Sequence, residues 1–169
     1  MKLSRHLVIS VLSATLPLLA FSDRAFAETI VKVSLWDKGP TALDGVDSLM
    51  PMGTAMSGAK MDRATMGIAV DMQEIPAGEV TFRVLNDSQE FYHGMVISPV
   101  GDPSEELPHL IDTMMVDEAA AGRIALVKEL KPHASGAVSV DMKPGTYIQS
   151  CNIGGHYVMG MWTIVTVTG

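Results

Sequence analysis

Cysteine is almost missing from this chain of 169 residues: Cys151 stands alone, which excludes an internal disulfide framework. Long apolar runs are equally scarce. The longest, Leu7 to Phe21, is broken by Ser10, Ser13 and Pro17 and falls short of the roughly 20 apolar residues a membrane span needs. It lies between the basic pair Lys2 and Arg5 and the small-x-small sequence Ala25-Phe26-Ala27, the pattern of a signal peptide cleaved after Ala27. The segment offers no Cys for acylation, so a lipoprotein anchor is not expected. The expected mature chain is a single domain, residues 28–169, exported to the periplasm and without a membrane span.

Positive charge is the third shortage. Lys and Arg number 12 against 19 Asp and Glu, a formal net charge of −7. Cleavage after Ala27 removes Lys2, Arg5 and Arg24 but only Asp23, leaving 9 basic and 18 acidic side chains and a net charge of −9. Such a surface excludes nucleic acid and anionic membrane as partners and suits a basic protein partner. The domain is expected to be a monomer. A single thiol sent to an oxidising compartment must be either buried or used.

What remains is rich in short alternating stretches. Ile30 to Leu35 alternates apolar and polar residues, and Asp37 to Arg63 is loop-like. Strand-like runs follow at Met66 to Met72, Gly78 to Leu85, His93 to Val100, Ile124 to Leu130, Gly136 to Met142, Gly145 to Cys151 and Trp162 to Val167. Turn sequences such as Pro76-Ala77-Gly78, Asn86-Asp87-Ser88 and Lys143-Pro144-Gly145 separate them. About eight short strands punctuated in this way predict an all-β Greek-key sandwich or barrel. One segment reads differently. Asp102-Pro103-Ser104-Glu105 carries helix-start chemistry, and Leu107, Leu110, Ile111, Met114 and Met115 fall on one helical face. A partly helical insertion is therefore expected near 102–122, with Pro108 opposing regularity.

The chemistry concentrates in Cys151-Asn152-Ile153-Gly154-Gly155-His156-Tyr157-Val158-Met159-Gly160-Met161, between the last two strands. A thiol, an imidazole and thioethers share one turn. Each has an ordinary reading alone: a buried Cys, a loop His, a core Met. Their coincidence at loop spacing, in an exported chain with a single Cys, favours a metal site. Soft sulfur with borderline nitrogen suits copper in both oxidation states, and a His₂Cys plane with a long axial Met is the blue-copper arrangement. The second imidazole has to come from elsewhere. His93 fits, on a strand-like run 58 residues before Cys151.

These features resemble the cupredoxin family, in particular bacterial periplasmic members with a Cys-x4-His-x4-Met loop. The resemblance rests on Lys143-Pro144-Gly145-Thr146-Tyr147 leading into Cys151, on the loop through Gly155-His156 to Gly160-Met161, and on His93. It covers roughly Thr65 to Gly169. It implies one type 1 copper ion held by His93, Cys151 and His156 with Met161 as axial ligand, Met159 being the alternative, and a non-enzymatic role as an electron carrier. It also implies an apolar surface patch at His156, with Tyr157, Val158 and Met159, through which a redox partner protein exchanges electrons. Two positions depart from the family pattern. Gly94 follows His93 where Asn or Ser is common, and Gly154 stands where a Pro often precedes the Gly-His pair.

Methionine is the remaining excess. Six of the 12 expected in the mature chain lie between Met50 and Met72. Met50, Met52, Met56 and Met61, in a Met-rich extension spanning 28–64, could serve as soft Cu(I) ligands. That alternative makes the protein a copper handler working with copper donor or acceptor proteins in tolerance or delivery. Irregular spacing and the lack of interleaved His favour ordinary packing, above all for Met66 and Met72. His109 and His133 read as surface histidines.

Overall fold

The computed structural model describes residues 28–44 and 64–169. The expected signal segment 1–27 and the four methionines Met50, Met52, Met56 and Met61 lie outside those residues. The described chain is all-β. It contains β1 (Thr29–Asp37), β2 (Met66–Val70), β3 (Glu74–Pro76), β4 (Gly78–Asn86), β5 (His93–Pro99), β6 (His109–Leu110), β7 (Met115–Val116), β8 (Ala125–Leu130), β9 (Ser135–Met142), β10 (Gly145–Ser150) and β11 (Trp162–Thr168). The strands of five residues or more are the eight that the alternation predicts; β3, β6 and β7 are short additions.

Two sheets face each other. One has the order β2-β1-β4-β9 and the other β3-β11-β10-β5-β8. Pairing is antiparallel except that β1 runs parallel to β4 and β3 parallel to β11. The alternation of β1 explains its place: Val31, Val33 and Leu35 are buried while Lys32 between them is exposed. Phe82 and Val84 of β4, Met66 and Ile68 of β2, Ile97 of β5, Ile148 of β10 and Val165 of β11 join them in the core. β5 and β10 are buried over nearly their whole length, so the strands that bring His93 and Cys151 together form the interior of the second sheet.

The expected helical insertion is absent among the described residues. Residues 102–122 form turns and a two-stranded ribbon, β6 with β7. Two aspartates of the segment spend their hydrogen bonds on local turns. Asp102 Oδ1 accepts from the Ser104 N–H, and Asp117 Oδ1 accepts from the N–H groups of Ala119 and Ala120. Pro108 lacks the N–H a helix needs, and Met114 takes a left-handed backbone with φ of 52°. The apolar residues at helical spacing belong to a ribbon instead, with Leu107 and Val116 buried and Ile111 at its exposed tip.

Candidate metal centre

Each donor is placed by a strand end. Cys151 follows β10 directly, and its N–H donates to the Met161 carbonyl at 3.0 Å, extending the β10–β11 ladder by one pair. The ligand loop 151–161 is therefore closed at its base by backbone. Within it the His156 N–H donates to Ile153 O, and the Met161 N–H donates to His156 O at 3.1 Å. Gly155 and Gly160 take positive φ values of 85° and 99°, which a side chain would resist. His93 opens β5 at an irregularity: it registers with Leu130 of β8, whereas Met95 registers with Val127. Such bulges re-aim side chains. Here the bulge brings the Gly94 N–H to 3.5 Å from Cys151 Sγ.

The three donors converge. His93 Nδ1 lies 3.2 Å from His156 Nδ1, and His156 Nδ1 lies 3.5 Å from Cys151 Sγ. The ligand atoms of His93, Cys151 and His156 all fall within 4.8 Å of one another, and all three residues are buried. Spacings of this size suit one ion about 2.0 Å from each nitrogen and about 2.3 Å from sulfur, the bond lengths first-row metals take with these donors. Phe91 packs its ring edge-on to His156 at 6.4 Å and tilted over His93 at 6.5 Å. It thus covers both imidazoles with an apolar group.

Burial keeps the three donors uncharged. Burial pushes the Cys151 thiol up to about 11, although the N–H groups of Gly94 and Ile153 act against it. Burial, helped by the neighbouring His93, lowers His156 to about 4, and burial also lowers His93 while Asp37 works in the opposite direction. Two uncharged imidazoles thus present lone pairs at neutral pH. A metal must displace the thiol proton, as thiolate ligation always requires.

The residue missed in the sequence is Asp37. At the end of β1, it accepts the His93 Nε2–H on Oδ2 at 2.8 Å and the Gly39 N–H on Oδ1 at 2.8 Å. Its side chain is 1% exposed. The one signal that could have found it is Asp followed two residues later by Gly, an Asx-turn pattern that fixes a carboxylate at a strand end.

Met161 is fully buried and tied through its backbone to both Cys151 and His156; Met159, also buried, sits within the loop's turns. His109 is half-buried beside Leu107 O, and His133 is exposed, so neither joins the cluster. Met66 is buried in the core and Met72 packs against it. One implication of the resemblance is corrected. Tyr157, Val158 and Met159 form no exposed patch: all are buried, and His156 is only 3% exposed. The 107–116 segment lies across the loop instead. The Leu107 N–H donates to Tyr157 Oη, and the Gly155 N–H donates to Met114 O.

The sequence matches no family model and no curated protein. Solved structures do match. A dithionite-reduced auracyanin from the photosynthetic bacterium Roseiflexus castenholzii aligns over 85% of this chain and 98% of its own, with 21% identity and a TM-score of 0.51. A rusticyanin from Thiobacillus ferrooxidans aligns over 85% of this chain and 80% of its own, with 16% identity and a TM-score of 0.51. The fold is that of the cupredoxins. The buried His, Cys and His at the mouth of the β5–β10 pair form a donor set that could hold a metal ion, one soft sulfur with two borderline nitrogens. Copper is also the divalent first-row metal such ligands bind most tightly.

Proposed function

We propose that this protein is an exported carrier of single electrons with one type 1 copper ion. The observation that carries the reading is the convergence of His93 Nδ1, His156 Nδ1 and Cys151 Sγ within 4.8 Å in a buried pocket. Bound there, copper supplies one-electron chemistry by passing between Cu(II) and Cu(I). The chain supplies the rest. His93 and His156 would offer their Nδ1 lone pairs, Cys151 its sulfur once the thiol proton has left, and Met161 a thioether as a further donor from the loop's base. The closed loop and the Phe91 cover hold these donors in place and keep water out. A geometry that does not rearrange between oxidation states keeps reorganisation small, which is what a carrier needs.

The same enclosure speaks for a carrier over a catalyst or a copper handler. All three donors are buried, so electrons reach the site more readily than a substrate or a metal acceptor does. The expected partner is a redox protein with a basic or neutral docking face, matching the excess of acidic residues. The signal sequence supports a periplasmic location.

The test is a reductive and reoxidative titration of the copper-loaded protein. A carrier takes up and returns one electron per chain and keeps its metal through repeated cycles. Release of copper to a weak Cu(I) chelator on each reduction contradicts the carrier role and favours copper handling.

A further inference from the structure

We propose that Asp37 is a positioning residue of the metal centre, fixing which nitrogen of His93 faces the metal and biasing the site toward its oxidised state. This rests on the copper reading above. The geometry is direct. Asp37 Oδ2 accepts the Nε2–H of His93 at 2.8 Å, so the free lone pair of that ring is at Nδ1, the atom 3.2 Å from His156 Nδ1. The carboxylate is itself immobilised, because the Gly39 N–H holds Oδ1. Both the imidazole and the carboxylate are essentially without solvent, at 0% and 1% exposure.

Two effects follow, and they have the same sign. A carboxylate accepting the remote N–H makes an imidazole a stronger donor, and such partners typically change metal affinity by about 10–100-fold. The stronger donor favours Cu(II). Formal charge points the same way. Cu(II) with the Cys151 thiolate carries one positive charge, which the Asp37 carboxylate cancels. One added electron leaves the same buried group with one negative charge and no counter-ion in the set, and unpaired buried charge is costly. The oxidised site is therefore the electroneutral one.

The experiment compares the copper-loaded wild type with Asp37→Asn and Asp37→Glu by equilibrium redox titration and optical spectroscopy. Asparagine keeps a hydrogen-bond acceptor but removes the charge; glutamate restores it. The expected result for D37N is a retained copper–thiolate band with the Cu(II):Cu(I) preference reduced about tenfold, an upward shift of about 59 mV for a one-electron couple. D37E is expected to recover most of that shift. A role in folding alone would lower the melting temperature without moving the preference. Should D37N fail to fold, the wild type still reads the contact: a His93 Nε2–H proton in the Cu(I) form that exchanges freely with water and shows no downfield hydrogen-bonded resonance contradicts the assignment. An intact band with a preference unchanged in D37N overturns the role of Asp37 alone. A wild type that gives no such band with copper overturns the copper reading and this inference together.

Discussion

A methyl group placed on Gly154 would stand 2.8 Å from the carbonyl oxygen of Thr113. This contact accounts for one departure from the expected pattern. The 107–116 segment crosses the ligand loop so closely that position 154 has no room for the Pro that often precedes the Gly-His pair. The same segment meets Tyr157, whose hydroxyl accepts the Leu107 N–H. The ribbon thus shields the site, and its exposed tip, Leu110 and Ile111, takes the outward position.

Gly154→Ala is expected to destabilise the protein by about 1–3 kcal/mol, the usual result of overpacking against backbone. Calorimetry of the copper-free and copper-loaded forms checks it. The loss should be accompanied by weaker copper retention, since the strain enters the ligand loop. An Ala variant as stable as the wild type would mean that the ribbon and the loop do not touch.

The choice between thioethers is separable. Met161→Leu should retain copper yet move both the visible band and the reduction potential, because the axial ligand tunes both. Met159→Leu should leave both unchanged. The opposite pattern would assign the axial role to Met159.

Copper-free protein should be most stable in a middle window of pH. The unfolded chain protonates His156 near its ordinary 6.5, the folded chain only near about 4. Between those values the unfolded state binds the extra proton, so stability falls as pH drops. Cys151 works from the other side: it ionises near an ordinary 9.0 when unfolded and near about 11 when folded, so stability falls as pH rises between them. Each arm is worth about 3 kcal/mol from shifts of this size. Thermal melts across pH 4–11 check the shape, and the alkaline arm should shrink in Cys151→Ser. An alkaline arm identical in that variant would contradict the assignment to the thiol.

Met50, Met52, Met56 and Met61 define a further test. If they only pack, replacing all four with Leu leaves Cu(I) stoichiometry at one per chain. Loss of a second equivalent would show that they bind Cu(I) and would favour the copper-handling alternative.

Most of the architecture was legible because it obeys local rules. The alternation Val31, Val33, Leu35 against Lys32 and the Pro144-Gly145 pair at the start of β10 mark strands and their ends without reference to distant residues. The Cys151–His156 spacing was legible for the same reason, since both residues lie on one loop. The 102–122 segment misled because helical spacing of apolar residues also serves a ribbon packed across a loop. Its helix-start residue Asp102 bonds to the next turn and goes no further. Asp37 was not legible as a site residue because its partner lies 56 positions away and its pairing is a product of the β1–β4 and β5 packing. The Tyr157 contact with the Leu107 N–H likewise depends on a segment remote in sequence.

The most direct test of the central claim is the visible spectrum of the purified protein loaded with one equivalent of Cu(II), alongside the same chain carrying Cys151→Ser. The account predicts an intense thiolate-to-copper absorption in the first and its complete loss in the second. A colourless wild type, or a band that survives removal of the sulfur, would contradict it.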